Sequence, residues 1–359
     1  METAAVKSML AWYREHQRVL PWRSLPTPYR VLVSEVMLQQ TQVATVMPYF
    51  ERFVQAFPDF AALAAADIEA VLKLWEGLGY YSRARRLHAC AQLVMENGGE
   101  LSDDPTELAR LPGIGPYTAA AIASIAFGRP YPAVDGNVLR VQARLLADDG
   151  DVSSQSARRR VYERLLAVIQ QTPDPSAFNQ AQMDLGAMVC LPRQPLCDEC
   201  PLRVFCRAFA SGEPTVYPRR PERRVTPRMH VAVGLIFYRG RLLILRRSED
   251  QMLGGLWEFP GGKLESGETP SQAVEREVRE ETGLTVEIGA LVGVIQHAYS
   301  HFRITMHAYR CRLAEIGEPV VACERLHAWV IAEDLPKYAF PKANHKIFAC
   351  EGFAEGFQE

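Results

Sequence analysis

The sequence has no long hydrophobic run, no signal-peptide core and almost no net charge. Its 359 residues carry a formal net charge of −2. No apolar stretch approaches the roughly 18 residues of a membrane span, and residues 1–22 mix charged and aromatic side chains, unlike a secretory signal. We therefore expect no membrane association and a cytoplasmic, reducing location, in which the eight cysteines would not form a disulfide framework. With charge so balanced, any nucleic-acid-binding surface must be local.

The length of the chain and the change in its residue pattern predict two domains, since 359 residues are more than one hydrophobic core usually supports. Residues 1–211 contain alanine-rich segments with helical apolar spacing, separated by proline and glycine. Residues 212–228 hold four prolines and five arginines, which is typical of a linker near a polyanion. Residues 229–359 show strand-like runs around one strong helix. The predicted fold is an all-α domain followed by an α+β domain.

Four cysteines are clustered with the spacing C-x6-C-x2-C-x5-C, at Cys190, Cys197, Cys200 and Cys206. Four thiolates this close can hold tetrahedral zinc or an iron–sulfur cluster, and the spacing alone does not choose between them. The loop resembles the 4Fe–4S loop of the endonuclease III and MutY group of DNA glycosylases, which implies a 4Fe–4S cluster. The remaining four cysteines are expected in apolar, buried positions.

Two carboxylates have contrasting surroundings. Asp135 precedes a helical segment in "VDGNVLRV", where backbone N–H groups can bond to it and keep it ionised. Glu35 lies in an apolar helical stretch, which should raise its pKa and allow it to act as an acid. One protonated and one charged carboxyl group can together cleave a glycosidic bond. Taken alone, Asp135 would be interpreted as a simple helix cap.

The string "LPGIGPYTA" places Gly113 and Gly115 between two helical segments. An isolated G-x-G would predict only a tight turn, but the whole string resembles the helix-hairpin-helix of the same glycosylases, which holds the DNA backbone without reading sequence. Relatives that also cut the strand carry lysine where this chain has Tyr117, and a phenol cannot form a Schiff base. We expect a monofunctional glycosylase, with a bifunctional glycosylase/AP lyase as the alternative.

Motifs across residues 7–210 together resemble MutY-type adenine DNA glycosylases. The resemblance implies an enzyme that flips out and removes adenine opposite 8-oxoguanine or guanine in double-stranded DNA, where flipping costs on the order of a few kcal/mol. We expect the protein to be a monomer. It further implies that Glu35 protonates adenine N7 and that Asp135 stabilises the oxocarbenium-like sugar. The other residues it implies are Tyr117 and Asn137 in support, Arg23 at the adenine pocket, and Gln40, Leu78 and Tyr80 at the wedge and opposite base.

The segment "GGKLESGETPSQAVEREVREETGL" (residues 261–284) matches the complete Nudix signature and is similar to MutT, a hydrolase of 8-oxo-dGTP. On a helix, Glu277, Glu280 and Glu281 would share one face and could bind Mg²⁺ against a diphosphate. MutY C-terminal domains share this fold, but their signature is generally eroded. We expect a Nudix-fold lesion reader with an inactive but intact motif, and the alternative is hydrolysis of 8-oxo-dGTP.

Residues outside the signature also point to 8-oxoguanine recognition. Tyr299, Ser300 and His301 resemble the aromatic-Ser-His triplet with which MutY proteins probe the lesion. Asn344 falls where MutT relatives use an asparagine to read the oxidised base. Without the resemblance, the triplet would be ordinary polarity at a strand edge.

Overall fold

A computed structural model describes residues 1–219, 227–249, 251–299, 301–314 and 317–358. The chain forms two compact units. Unit 1 comprises Met1–Ala65 with Arg86–Arg223, and unit 2 comprises Ala66–Arg85 with Arg224–Glu359. The predicted linker, residues 212–228, lies partly outside the described residues. Within the described ranges, no helix is both long and apolar enough to cross a membrane.

The predicted fold class, a helical domain followed by an α+β domain, is confirmed by the order of the elements. The helices are α1 (Thr3–His16), α2 (Pro28–Leu38), α3 (Val43–Ala56), α4 (Phe60–Ala65), α5 (Ile68–Trp75), α6 (Ser82–Glu96), α7 (Pro105–Leu108), α8 (Pro116–Ile125), α9 (Gly136–Leu146), α10 (Gln155–Ile169), α11 (Pro175–Met188), α12 (Arg207–Ala210), α13 (Pro270–Thr282) and α14 (Lys342–Phe348). The strands are β1 (Arg228–Tyr238), β2 (Arg241–Arg246), β3 (Trp257–Glu258), β4 (Gly261–Lys263), β5 (Val286–Ala298), β6 (Arg303–Leu313) and β7 (His327–Val330).

Unit 1 is built around a core shared by α1, α8, α9, α10 and α11. Met9, Leu165, Phe178 and Leu185 are each 0% exposed there, and burial of one such side chain contributes roughly 1.5–3 kcal/mol. Side-chain caps fix where the helices begin. Asp174, for example, accepts the Ala177 N–H at 2.9 Å and starts α11.

Unit 2 contains a mixed sheet with the strand order β3-β2-β1-β6-β5, with β4 beside β1 and β7 beside β2. β1 pairs in parallel with β6, and the other pairings are antiparallel. Alternate residues of β1 pack into two different cores, with Ile236 in the core of α13 and Leu235 in the core that includes Ile347 of α14. Both faces of the central strand are therefore covered, and its apolar residues run on without alternation.

The Nudix-like segment supplies α13. The helix begins with a reciprocal capping box between Thr269 and Gln272 and ends at Gly283, which adopts a left-handed conformation with φ +72°. This local chemistry fixes the helix ends, so the spacing of its glutamates on one face follows from the sequence.

Candidate active site

A cavity of about 980 Å³ in unit 1 brings together the residues that the sequence assigned to catalysis. It lies among α2, α8, α9 and α11. Its lining includes Arg23, Glu35, Gln40, Tyr117, Asp135 and Asn137. Residues far apart along the chain therefore line one cavity.

Glu35 lies on α2, whose start is set by Pro28 in the first turn and by the Thr27 side chain, which accepts the Arg30 N–H at 3.3 Å. Glu35 is only 6% exposed. Burial raises its pKa from 4.5 to about 7, and the nearby charge of Asp135 adds to the rise, while a hydrogen bond with Tyr117 opposes it. The side chain can therefore carry a proton near neutral pH.

Asp135 is the N-cap of α9 and is held by two hydrogen bonds. Its Oδ1 accepts the Val138 N–H at 2.7 Å, and its Oδ2 accepts from Asn137 Nδ2 at 2.9 Å. These bonds favour the charged form, as the sequence suggested, but burial is the larger effect and the pKa of Asp135 is raised above its usual range. The carboxylate is thus fixed in position at the wall of the cavity.

Arg140 joins the active-site amide to the cysteine loop, a connection that the sequence reasoning missed. Its Nη2 donates to Asn137 Oδ1 at 2.8 Å and to the Gly186 carbonyl at 2.7 Å, and its Nε donates to the Cys190 carbonyl at 2.8 Å. A Cβ at Gly186 would lie 2.6 Å from the Asn137 Cβ, so only glycine permits this approach. The position of Arg140, three residues after Asn137 on one helix, was the available signal.

Arg23 is fixed at the cavity wall by a carboxylate that the sequence reasoning also missed. Its Nη1 and Nη2 donate to Asp184 Oδ2 and Oδ1 at 2.7 and 2.9 Å, and Arg18 Nε donates to the same carboxylate at 2.7 Å. The Asp184 side chain is fully buried, and the two arginines hold its pKa below its usual range despite that burial. This bidentate geometry orients the Arg23 guanidinium plane.

The glycine-rich hairpin carries Tyr117 into the cavity. Gly113 has φ +79°, and a Cβ there would lie 2.9 Å from the Arg86 Cβ. Gly115 caps α8 and Pro116 fills its first turn. Burial and the neighbouring Glu35 carboxyl raise the pKa of Tyr117 well above its usual value. The phenol therefore stays neutral, and its hydroxyl donates to Met183 Sδ at 4.0 Å.

The four clustered cysteines line one small cavity with apolar walls. Arg144, which is 2% exposed, donates through Nη1 to Cys190 Sγ at 3.3 Å, and Cys206 Sγ contacts the Arg144 carbonyl at 3.4 Å. Burial raises the pKa of Cys200 to about 12, and the neighbouring thiols add to the rise. Four thiols that line one cavity beside a buried cation supply the ligand type of an iron–sulfur cluster. All eight cysteines are free thiols.

In unit 2, a cavity of about 460 Å³ is lined by Leu78, Tyr80, Tyr299 and His301. Tyr80 has a left-handed backbone with φ 50°. The Tyr299 N–H donates to the Phe302 carbonyl at 2.8 Å, and the two rings stack 4.8 Å apart. Four of the residues assigned to lesion contact are thus grouped together.

The other two residues assigned to lesion contact in unit 2, Ser300 and Asn344, are not among the described residues that line its cavity. Ser300 lies outside the described residues. Asn344 is on α14 and is 5% exposed, whereas Pro341 and Lys342 form the part of the cavity wall contributed by this segment. The assignment of Asn344 to base reading stays a prediction.

The carboxylates of α13 are paired with arginines. Arg276 Nε donates to Glu268 at 2.9 Å, and its Nη1 donates to Glu277 at 2.9 Å and to Glu280 at 3.3 Å. Glu281 is paired with Arg325. Across the part of the chain that the structure describes, no group of three or more His, Cys, Asp or Glu side chains is arranged to hold a metal ion, and this applies to the four clustered cysteines as well as to these glutamates. Arg276 donates to one oxygen each of Glu277 and Glu280, and both oxygens of Glu281 accept from the Gly261 N–H and Arg325, so these glutamates do not form a Mg²⁺ site in this arrangement.

Comparisons with known proteins agree with this architecture. Residues 33–171 match the HhH-GPD superfamily of base excision DNA repair proteins, and residues 232–350 match the NUDIX domain. A solved structure of a thermostable thymine-DNA glycosylase superimposes with a TM-score of 0.53 at 26% identity, covering 57% of this chain and 95% of that chain. Fold and site together define a helix-hairpin-helix DNA glycosylase with a C-terminal Nudix domain.

Relatives that match 96% of this chain identify the family within this class. The adenine DNA glycosylase of Mus musculus is 35% identical over 96% of this chain and 77% of its own length. That of Homo sapiens is 36% identical over 96% of this chain and 73% of its own length. The chain belongs to the adenine DNA glycosylase family, whose members are hydrolases of N-glycosidic bonds.

Proposed function

We propose that this protein excises adenine mispaired with 8-oxoguanine or guanine in double-stranded DNA, as part of base excision repair. The observation that carries the proposal is the placement of a buried acid, Glu35, and a capped carboxylate, Asp135, in one cavity of about 980 Å³. A pocket of this volume accommodates a flipped nucleotide, and flipping is required because the reacting bond is inaccessible within a duplex.

Glu35 acts as the general acid. With a pKa of about 7, a large fraction of the side chain is protonated at neutral pH. It donates this proton to adenine N7, which turns the base into a better leaving group. The neutral Tyr117 phenol lines the same cavity as Glu35 and supports the position of its carboxyl group.

Asp135 acts on the sugar. As the bond between C1′ and adenine N9 breaks, its electron pair leaves with the base and positive charge develops on the sugar. The carboxylate, held in place by the Val138 N–H and the Asn137 amide, stabilises that charge. Water then adds its oxygen to C1′ and loses a proton, which completes hydrolysis.

The reaction stops at base removal. A coupled strand cut through a Schiff base needs an amine nucleophile. Tyr117 provides a phenol, and among the described residues no lysine lines the cavity of unit 1. This supports a monofunctional glycosylase over the bifunctional alternative, and absence of a borohydride-trapped protein–DNA adduct is the expected result.

Recognition of the mispair is assigned to separate groups in each unit. In unit 1, Gln40 lines the catalytic cavity. Gly113 and Gly115 lie in the hairpin that is assigned to binding the DNA backbone. In unit 2, the aromatic cavity carries the wedge candidates Leu78 and Tyr80 together with Tyr299 and His301. Stacking on such side chains is worth about 1–3 kcal/mol per base, enough to offset the cost of unstacking.

We also assign a 4Fe–4S cluster to Cys190, Cys197, Cys200 and Cys206. When bound, such a cluster joins the four thiolates into one covalently linked unit. Arg144 places positive charge beside them, and Arg140 connects the Cys190 carbonyl to Asn137. A cytoplasmic location and a monomeric state stay predictions.

The test is single-turnover release of adenine from duplexes containing A:8-oxoguanine, A:G or A:T, with wild type, Asp135→Asn and Asp174→Asn. Asp174 is a matched control because it also caps a helix but lies outside the cavity. We expect release from the first two duplexes, loss of release in Asp135→Asn with DNA binding retained, and normal release in Asp174→Asn. Release from A:T at the same rate, or turnover by Asp135→Asn, would contradict the proposal.

A further inference from the structure

The complete Nudix signature contains a carboxylate, Glu281, whose two oxygens are both already bonded. Its Oε2 accepts the Gly261 N–H at 2.9 Å. Its Oε1 accepts from Arg325 Nη1 at 2.5 Å. Glu281 lies at the last turn of α13, and Arg325 lies just before β7, so the pair joins segments that are distant along the chain.

A second carboxylate in the same cluster, that of Glu258, also has an N–H partner on each oxygen. Glu258, on β3, accepts from Arg325 Nη2 through Oε1 at 2.5 Å and from Arg247 Nη1 through Oε2. Arg325 also donates from Nε to the Arg246 carbonyl at 3.2 Å. One guanidinium therefore bridges Glu258 and Glu281, and every oxygen of the two carboxylates has an N–H partner.

The cluster is sheltered from solvent. The side chains of Arg325, Glu258 and Glu281 are 17%, 14% and 22% exposed. A fixed bidentate arginine between two carboxylates gives short, charge-assisted hydrogen bonds. A divalent cation binding here would have to displace the guanidinium from both carboxylates and leave Nη1 and Nη2 without these partners at a largely desolvated position, which is costly.

Mg²⁺ needs oxygen ligands at about 2.0–2.1 Å in near-octahedral geometry and gives up its water reluctantly. The arrangement around Arg325 offers it no free oxygen on either Glu258 or Glu281. We propose that the Arg325 guanidinium takes the place of the divalent cation in this Nudix unit, so that an intact signature serves as a salt-bridge cluster.

Arg276 and Arg325 form ion pairs with different glutamates of the signature. Arg276, which is part of the signature, is paired with Glu268, Glu277 and Glu280. Arg325, which is outside the signature, is paired with Glu281. The motif alone could not reveal the difference from a metal-binding Nudix unit, because the residue responsible follows the last signature position by about 40 residues.

The test is Mn²⁺ binding to the full chain, measured by electron paramagnetic resonance of the free ion, for wild type, Arg325→Ala and Arg325→Gln. We expect both Arg325 variants to gain a Mn²⁺ site that binds at least about tenfold more tightly than any site in wild type. Adding Glu281→Gln to Arg325→Ala should abolish the gained site, which assigns it to this cluster.

Arg247→Ala is the matched control. It also removes an arginine from Glu258 but leaves Arg325 on both carboxylates, so no Mn²⁺ site should appear. Far-ultraviolet circular dichroism and thermal melts check that each variant is folded. A wild-type Mn²⁺ site that Glu281→Gln removes would overturn the proposal, and so would folded Arg325 variants without a gained site. Because the readout is metal binding, the result does not depend on adenine excision.

Discussion

Glu35→Gln should remove a pH-dependent contribution to the free energy of unfolding. In the folded protein, burial raises the Glu35 pKa from 4.5 to about 7. At 1.36 kcal/mol per pKa unit, this difference corresponds to about 3 kcal/mol. The folded state holds the Glu35 proton more tightly than the unfolded chain does. The contribution of this proton to the free energy of unfolding is therefore fully present below pH 4.5 and is lost as pH rises through 7.

Wild type should therefore lose about 2.5 kcal/mol of stability from this group between roughly pH 5 and pH 8, whereas the glutamine variant should not. Urea unfolding followed by far-ultraviolet circular dichroism at both pH values gives the difference between the two proteins, in which groups common to both cancel. Glu51→Gln, at an exposed position on α3, is the control and should leave the pH dependence unchanged. A wild-type-to-Glu35→Gln difference that is the same at both pH values would refute the reasoning.

Three further changes test other parts of the molecule. Gly113→Ala should lower unit 1 stability by about 1–3 kcal/mol, because of its φ of +79° and a Cβ placed 2.9 Å from Arg86 Cβ. Gly115→Ala, which has open space around it and loses only a glycine N-cap, should lower stability less. Cys197→Ala should lose bound iron and its visible absorbance, and an iron-replete variant would contradict the assignment. Tyr299→Ala should reduce the preference for A:8-oxoguanine over A:G in competitive excision, and an unchanged preference would exclude its role.

Features that depend on neighbouring residues could be predicted from the sequence. The turn at Asp135 and Gly136 identified a helix start because capping involves residues only a few positions apart, and Asp135 accepts the Val138 N–H. The apolar flank of Glu35 indicated burial in the same way. The switch from helical to strand-like texture after the proline-rich segment indicated the change of fold class.

Features that depend on distant residues could not be predicted in this way. Asp184 meets Arg23 across 161 positions, and Arg325 meets Glu281 across 44. Neither partner belongs to a local motif, so no spacing rule points to it. Burial also depends on packing from several elements, and for this reason the sequence suggested the bonds at Asp135 but not the upward direction of its pKa.

The central claim is that Glu35 delivers the proton that releases adenine. The most direct test is the single-turnover rate of adenine release from an A:8-oxoguanine duplex, measured from pH 6 to 9 for wild type and Glu35→Gln. With a Glu35 pKa of about 7, the wild-type rate should fall about tenfold per pH unit above that value, and the variant should release no adenine at any pH. A Glu35→Gln enzyme that keeps the wild-type rate, or a wild-type rate that does not fall above pH 7, would contradict the account.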